Sequence, residues 1–163
     1  MGIGRSRLSE ILLAIMMKNT ESAVGQNGLT RHVIQSDPAE SRRVQEEVEQ
    51  ALRRHEFSER DIFSVRLALE EALVNAIKHG NQLDRTKKVQ VEYCISRERL
   101  DIHITDEGKG FDPEDVPDPT AVENLERPCG RGLMLMRHYM TEVYYSSEGN
   151  TVRMCKCRCR ENP

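Results

Sequence analysis

The sequence predicts an α+β fold, a two-layer α/β sandwich in which a mixed, mostly antiparallel sheet has helices on one face. Before residue 80, apolar residues recur with a period of about 3.6 in two long segments, as amphipathic helices require. After residue 87, short segments joined by tight turns indicate two β-hairpins. The predicted order is strand, helix, helix, strand, strand, loop, helix, strand, strand.

Composition narrows the class of protein. The 163 residues fit one domain, with residues 1–28 predicted as a flexible N-terminal extension and residues 29–160 as the ordered domain. A net charge of −3 and 4% aromatic residues give no reason to expect direct nucleic-acid binding, and no apolar run is long enough to span a membrane. The odd number of cysteines, 5, argues against a disulfide framework and for a reducing, cytoplasmic location.

The first elements have recognisable start signals. Leu29–Gln35 is predicted as a strand, and Pro38 lies in the first turn of a helix that runs to about His55. Ser58 begins the next helix. Asp61 stands three residues later, where a capping box normally has Glu or Gln.

That second helix ends in a polar stretch. Glu71 and Asn75 are four residues apart, so their side chains lie one turn apart on the same side of the helix. Lys78 and His79 follow, and Gly80 is predicted to close the helix as a C′ glycine. A carboxylate, an amide and a cation in this order suit a divalent metal and phosphate, although a solvated helix face is the simpler interpretation.

Two glycine motifs follow. Asp106-Glu107-Gly108-Lys109-Gly110 stands where the strand from Leu100 ends. Periodicity then disappears over residues 107–130, a length typical of a functional lid. Gly130-Arg131-Gly132-Leu133 begins the next predicted helix, which runs to Met140. Glycines let a backbone approach a ligand closely, and a helix N-terminus offers free N–H groups to phosphate.

These motifs together resemble the N, G1 and G2 boxes of the GHKL, or Bergerat-fold, histidine-kinase-like ATPases. The resemblance covers about residues 29–158. Within that superfamily the wording Glu-Ala-Leu-Val-Asn-Ala-Ile-Lys-His-Gly is similar to the bacterial anti-sigma-factor serine/threonine kinases, the RsbW-like proteins. So are Asp-Glu-Gly-Lys-Gly-Phe-Asp-Pro and Gly-Arg-Gly-Leu-Met-Leu-Met-Arg.

The resemblance implies a role for each polar residue of the helix. Glu71 would be the general base that takes the proton of a substrate hydroxyl. Asn75 would bind the Mg²⁺ that bridges the phosphates of ATP. Lys78 and His79 would lie beside those phosphates, although a lysine at position 78 is more typical of histidine kinases.

It also implies an adenine pocket. Asp106 would accept a hydrogen bond from the adenine 6-amino group, and Gly108 and Gly110 would shape the pocket around it. Thr151 matches the threonine that the family places near adenine; as an ordinary strand threonine it would need no explanation.

The phosphate-binding residues are less determined by the resemblance. Gly130, Arg131, Gly132 and Leu133 would form the helix start that faces the phosphates. Arg127 would reach the terminal phosphate, but Pro128-Cys129 adds a residue between it and the glycines, so Arg131 is the alternative.

For the whole protein, the resemblance implies an ATP-dependent protein kinase that acts as an anti-sigma factor. It would bind a sigma factor, phosphorylate a STAS-type anti-anti-sigma protein and form a homodimer, as such kinases commonly do. Two alternatives remain: an ATP-binding regulatory module without catalysis, and a lone histidine-kinase catalytic domain.

The remaining motif is a run of alternating cysteines. Cys155, Cys157 and Cys159 would share one face of a strand, with neighbouring thiols about 7 Å apart. That spacing is too wide for one tetrahedral metal without another ligand, so packed or edge thiols are predicted, with a soft-metal site as the alternative.

Overall fold

The computed structural model describes residues 28–110 and 131–159. The predicted extension, most of the predicted lid, and with them Arg127 and Gly130, lie outside the described residues. The elements are β1 (Leu29–Gln35), α1 (Pro38–Arg54), α2 (Glu59–Val74), a π-helical turn (Asn75–Gly80), β2 (Lys88–Ile95), β3 (Arg99–Asp106), α3 (Arg131–Tyr139), β4 (Glu142–Tyr145) and β5 (Thr151–Cys157).

The five strands form one sheet in the order β1-β2-β3-β5-β4. Every pairing among the described residues is antiparallel, so the sheet is more regular than the mixed sheet that was predicted. The predicted α+β class and the order of elements are confirmed. None of the helices in the described ranges combines the length and apolar character needed to cross a bilayer.

The core lies between the sheet and the helices. Both predicted helical stripes are buried, because each repeats an apolar side chain once per turn on the side that faces the sheet. The buried apolar residues of α1, α2 and the π turn are Val44, Val48, Ala51, Leu52, Ile62, Val65, Ala68, Leu69, Ala72, Leu73, Ala76 and Ile77, and α3 adds Met136. The central strands contribute Val89, Val91, Tyr93, Leu100, Ile102, Ile104, Val152 and Met154.

The end of the long helix differs from its prediction. The helix does not stop at a C′ glycine: after Val74 it widens into a π-helical turn, in which the Asn81 N–H donates to the Ala76 carbonyl at 2.8 Å. Gly80 lies inside this turn, and its backbone does not have the positive φ of a C′ glycine. Turns of this kind are uncommon and are frequent at functional sites.

The three alternating cysteines differ in their surroundings, and within the described ranges no group of three or more His, Cys, Asp or Glu is arranged to hold a metal ion. Cys155 is buried, whereas Cys157 and Cys159 are exposed. The sulfurs of Cys155 and Cys157 are 4.0 Å apart. They are closer than the spacing of alternate strand residues predicts.

Candidate active site

The site is organised around the Asp106 carboxylate at the end of β3. The Gly108 N–H donates to Asp106 Oδ1 at 2.7 Å. A Cβ at Gly80 would lie 2.5 Å from the same oxygen, and one at Gly108 would lie 2.7 Å from it. Two glycines therefore surround this carboxylate with backbone alone. Burial raises the pKa of Asp106, although the Gly108 hydrogen bond and the charge of Lys87 oppose the rise.

Asn81 holds this arrangement together, and sequence reasoning assigned it no role. Its side chain is fully buried. Its amide nitrogen donates to Ser36 Oγ at 2.7 Å and to the Lys88 carbonyl at 2.9 Å, while its oxygen accepts from the Glu107 N–H at 2.8 Å. Asn81 thus ties the end of the π turn to β2 and to the residue after Asp106. An asparagine after a glycine is common in turns, so the sequence offered no distinguishing signal.

Glu71 faces the start of α3. A Cβ added at Gly132 would lie 2.7 Å from Glu71 Cδ and still closer to its Oε1, so the carboxylate rests on the bare Cα of the glycine. The neighbouring Glu70 is exposed. The structure therefore brings Glu71 of the helix motif into contact with Gly132 of the second glycine motif. The adjacent Glu70 faces solvent.

The other residues of the helix motif lie along the π turn. Asn75 is partly buried at the point where α2 gives way to that turn. Lys78 and His79 are exposed. Arg131 and Leu133 stand on either side of Gly132 in the first turn of α3, and Leu133 packs partly against the core.

The structure places Thr151 near the site without bringing it to Asp106. The hydroxyls of Thr151 and Thr105 are 3.0 Å apart. Side chains alternate along a strand, so this pair lies on the face opposite Ile104, Val152 and Asp106. On the β5 side, the neighbour of Asp106 is Asn150, whose carbonyl accepts the Asp106 N–H at 3.0 Å.

Two further residues of the candidate site are Gly110 and Tyr145. Gly110 has φ of 75° and no space for a side chain, because the Glu148 carbonyl abuts its Cα. Tyr145 lies in the row Ile104–Val152–Tyr145 on the helix-covered face, one row from Asp106. Burial raises the pKa of Tyr145 to about 12; the Arg137 charge opposes the rise, and the charges of Glu71 and Asp106 add to it. Sequence reasoning missed Tyr145, since nothing distinguishes it from other apolar strand positions.

This arrangement fits a nucleotide. A half-buried carboxylate acceptor between two glycines suits an amino-purine edge, and a nearby helix start suits phosphates. The amide oxygen of the partly buried Asn75 could serve as a ligand for Mg²⁺. Because the described residues contain no metal-binding cluster, the ion would take its other ligands from phosphates and water, as Mg²⁺ commonly does.

Comparisons with known proteins identify the family. Residues 34–156 match the histidine kinase-like ATPase domain. Since the match covers most of the chain, the protein belongs to this family.

Its curated relatives include protein kinases. The chain is 35% identical over 114 residues to the serine-protein kinase RsbW of Bacillus licheniformis, covering 64% of this chain and 70% of that protein. It is 31% identical over 94 residues to the serine/threonine-protein kinase BtrW of Bordetella bronchiseptica, covering 56% of this chain and 66% of that protein. The RsbW of Listeria monocytogenes is 31% identical over 110 residues, covering 61% and 68%. The predicted RsbW-like resemblance is confirmed, and the predicted enzyme class, a protein kinase, agrees with these names.

A solved structure supports the fold. The crystal structure of the RsbU and RsbW domains of a Mycobacterium tuberculosis protein superimposes with a TM-score of 0.56 at 14% identity. The match covers 83% of this chain and 33% of that one. At this identity the likeness concerns the fold alone.

Proposed function

We propose that this protein is an ATP-dependent serine/threonine protein kinase that acts as an anti-sigma factor. In this proposal it phosphorylates a STAS-type anti-anti-sigma protein, binds a sigma factor as the alternative partner, and works as a homodimer in the cytoplasm. The observation that supports it best is the position of Glu71. Its carboxylate lies against Gly132, one turn from Asn75, on the helix whose π turn places Gly80 against the Asp106 carboxylate.

The residues of the candidate active site would take different parts in the reaction. Asp106 and the two glycines around it would orient the adenine, and the start of α3 would receive the phosphates, with residues 107–130 acting as the lid. Glu71 would accept the hydroxyl proton of the substrate serine while the serine oxygen bonds to the γ-phosphorus of ATP. The bond between that phosphorus and the β,γ-bridging oxygen breaks, and ADP leaves. Mg²⁺ bound by Asn75 would neutralise charge on the phosphates.

The test separates nucleotide binding from chemistry. Glu71→Gln keeps the size of the side chain but cannot accept a proton at neutral pH, and general-base catalysis is worth about 10²–10⁴ in rate. The measurement is single-turnover transfer of labelled phosphate from ATP to a purified STAS-domain protein. We expect the variant to bind Mg-ATP normally by calorimetry and to transfer phosphate at least about a hundredfold more slowly.

Glu70→Gln is the matched control, because Glu70 is the same residue type, adjacent and exposed. It should transfer phosphate at nearly the wild-type rate. Wild-type transfer by Glu71→Gln would exclude Glu71 as the base. Binding of Mg-ATP without transfer by the wild-type protein would favour a regulatory module instead.

A further inference from the structure

A buried ion pair joins three elements about 15 Å along α2 from Glu71, given ten residues at 1.5 Å each. The Asp61 side chain is fully buried, and its Oδ1 lies 3.5 Å from Lys156 Nζ. Asp61 Oδ2 accepts the Cys159 N–H at 3.1 Å. Lys156 Nζ also donates to the Tyr139 carbonyl at 2.9 Å. One ammonium on β5 therefore contacts both the start of α2 and the end of α3.

This pair explains the departure from the capping box at the start of α2. Ser58 Oγ accepts the Asp61 N–H at 3.1 Å, as a capping serine should. The Asp61 carboxylate, however, reaches β5. Burial raises the pKa of Asp61, but hydrogen bonds from Cys159 and Ser58 and the charge of Lys156 outweigh it, so the pKa falls below its usual value. Asp61 Oδ1 has no hydrogen bond within the described part of the chain, which leaves Lys156 as the charge that balances it.

The two charges also match the helix ends that they contact. Asp61 lies in the first turn of α2, where a helix favours a negative charge. The Tyr139 carbonyl belongs to the last turn of α3, where carbonyls lack helical partners and a positive charge is favoured. Lys156 and Asp61 therefore stabilise the two helix ends as well as each other.

The two helices run antiparallel, so this joint and the candidate active site occupy opposite ends of one helix pair. Near the ion pair, the rings of Phe63 and Tyr139 meet edge to face with centroids 6.3 Å apart. At the other end, Glu71 meets Gly132. A change in the angle between the helices at Lys156 would displace Gly132 relative to Glu71, because helices are stiff over this distance.

We propose that Lys156 is a positioning residue for phosphotransfer: it fixes α3 against α2 and thereby holds Gly132 against the Glu71 carboxylate. The inference rests on the proposed function of Glu71. Asp106, Gly80 and Gly108 belong to β3, the π turn and the loop after β3. These residues would hold the adenine and do not depend on α3, so loss of the Lys156 contacts should slow transfer by a larger factor than it weakens ATP binding.

The experiment compares Lys156→Met with Val48→Ala. Methionine keeps the aliphatic length and removes the charge. Val48 is fully buried in α1, outside the α2–α3 contact, so its truncation destabilises the core without touching the joint. We expect Lys156→Met to slow single-turnover transfer about tenfold or more, since small displacements of reacting groups are costly. Its ATP affinity should stay within about threefold of wild type. Val48→Ala should lower the melting temperature but keep the rate, and Lys156→Arg should retain the rate.

If Lys156→Met leaves too little folded protein, the double variant Asp61→Asn/Lys156→Met removes both charges and avoids a buried unpaired carboxylate. It should show the same loss of rate, because the contact with Tyr139 is still missing. Transfer by this variant at the wild-type rate would overturn the proposal. So would equal rate losses for Lys156→Met and Val48→Ala at matched melting temperatures, which would indicate a general effect of stability.

Amide hydrogen exchange separates this inference from the proposed function. If the wild-type protein transfers no phosphate, the proposed function fails, and the joint is judged by the exchange of residues 131–139. Faster exchange there in Lys156→Met than in Val48→Ala would support the joint. Equal exchange in the two variants would overturn it.

Discussion

The Glu71 carboxylate rests on the Cα of Gly132, with no side chain between α2 and α3 at that point. The contact joins two halves of the candidate site, which the chain supplies from separate helices. Gly132 would therefore have a role besides offering a backbone N–H to phosphate. Because it has no side chain, it leaves the space that the Glu71 carboxylate occupies.

Gly132→Ala should therefore impair chemistry more than binding. The added methyl must displace the Glu71 carboxylate, and a misplacement of about 1 Å can cost about a hundredfold in rate. Single-turnover transfer should fall by that order while calorimetric affinity for Mg-ATP changes little. The combination with Glu71→Asp, which shortens the carboxylate, should cost less than the product of the two single losses. Strictly multiplicative losses would contradict direct contact between the two residues.

Gly80→Ala should weaken nucleotide binding. Gly80 is not in the positive-φ region, and alanine is intrinsically favoured over glycine in helical backbone by about 1 kcal/mol. Any loss must then come from the overlap of the new methyl with the Asp106 carboxylate. We expect the dissociation constant for ATP to rise about tenfold. The control is Gly28→Ala, whose Cβ meets nothing within 4 Å; its φ of 74° strains an alanine, but that strain lies outside the candidate site, so the variant should bind ATP like the wild type. If Gly80→Ala also does so, the contact of Gly80 with Asp106 is not rigid.

Asp106→Asn should make the nucleotide-free protein more stable at neutral pH and bind ATP more weakly. Because the folded pKa of Asp106 is raised, its ionised form is disfavoured in the folded state. That cost is fully present above the folded pKa and disappears as pH falls to the unfolded value, so the stability advantage of asparagine should disappear over the same window. Asparagine can present its NH₂ to the adenine amino group, which should cost about 2 kcal/mol of binding.

Thermal unfolding of both proteins from neutral to acidic pH, with calorimetry at neutral pH, tests both halves of this prediction. A stability difference that does not change with pH would show that ionisation of Asp106 is not its cause. Unchanged ATP affinity would remove Asp106 from the nucleotide site.

Asn81→Ala should destabilise the fold. The substitution removes three hydrogen bonds of a fully buried side chain and leaves their partners unsatisfied. We expect the free energy of unfolding to fall by about 2–3 kcal/mol in urea denaturation. Arg85→Ala is the control, since its side chain is 77% exposed and should change stability by less than about 0.5 kcal/mol. Similar losses in the two variants would show that the buried network contributes little.

The sequence predicted the elements well because each depends on local periodicity. The stripe from Ile62 to Ile77 fits a helix of 3.6 residues per turn, and all its members are buried. The same stripe hid the π turn, since Ala76 and Ile77 also fit an α-helical repeat. The order of the motifs predicted that Glu71 and Asp106 belong to one site. The close contact of Glu71 with Gly132 could not be predicted, because it depends on how α2 and α3 pack.

The long-range polar contacts were not accessible to sequence reasoning at all. The hydrogen bond from Cys159 to Asp61 joins residues separated by 98 positions. The amide of Asn81 reaches Ser36 across 45 positions. No local pattern distinguishes such residues from ordinary surface or turn residues, so their roles appear only when the strands are paired.

The pairing of β3 with β5 brings Thr105 beside Thr151, 46 positions away, and Asp106 beside Asn150. The proposed nucleotide pocket is thus complete only after the last strand has joined the sheet, and partly folded chains lack it. A ligand that binds the folded state alone adds RT ln(1 + [L]/Kd) to its stability, about 2.7 kcal/mol at a hundred times Kd. ATP would then stabilise the folded protein as well as serve as its substrate. Depletion of cellular ATP would lower the folded fraction of the protein together with its activity.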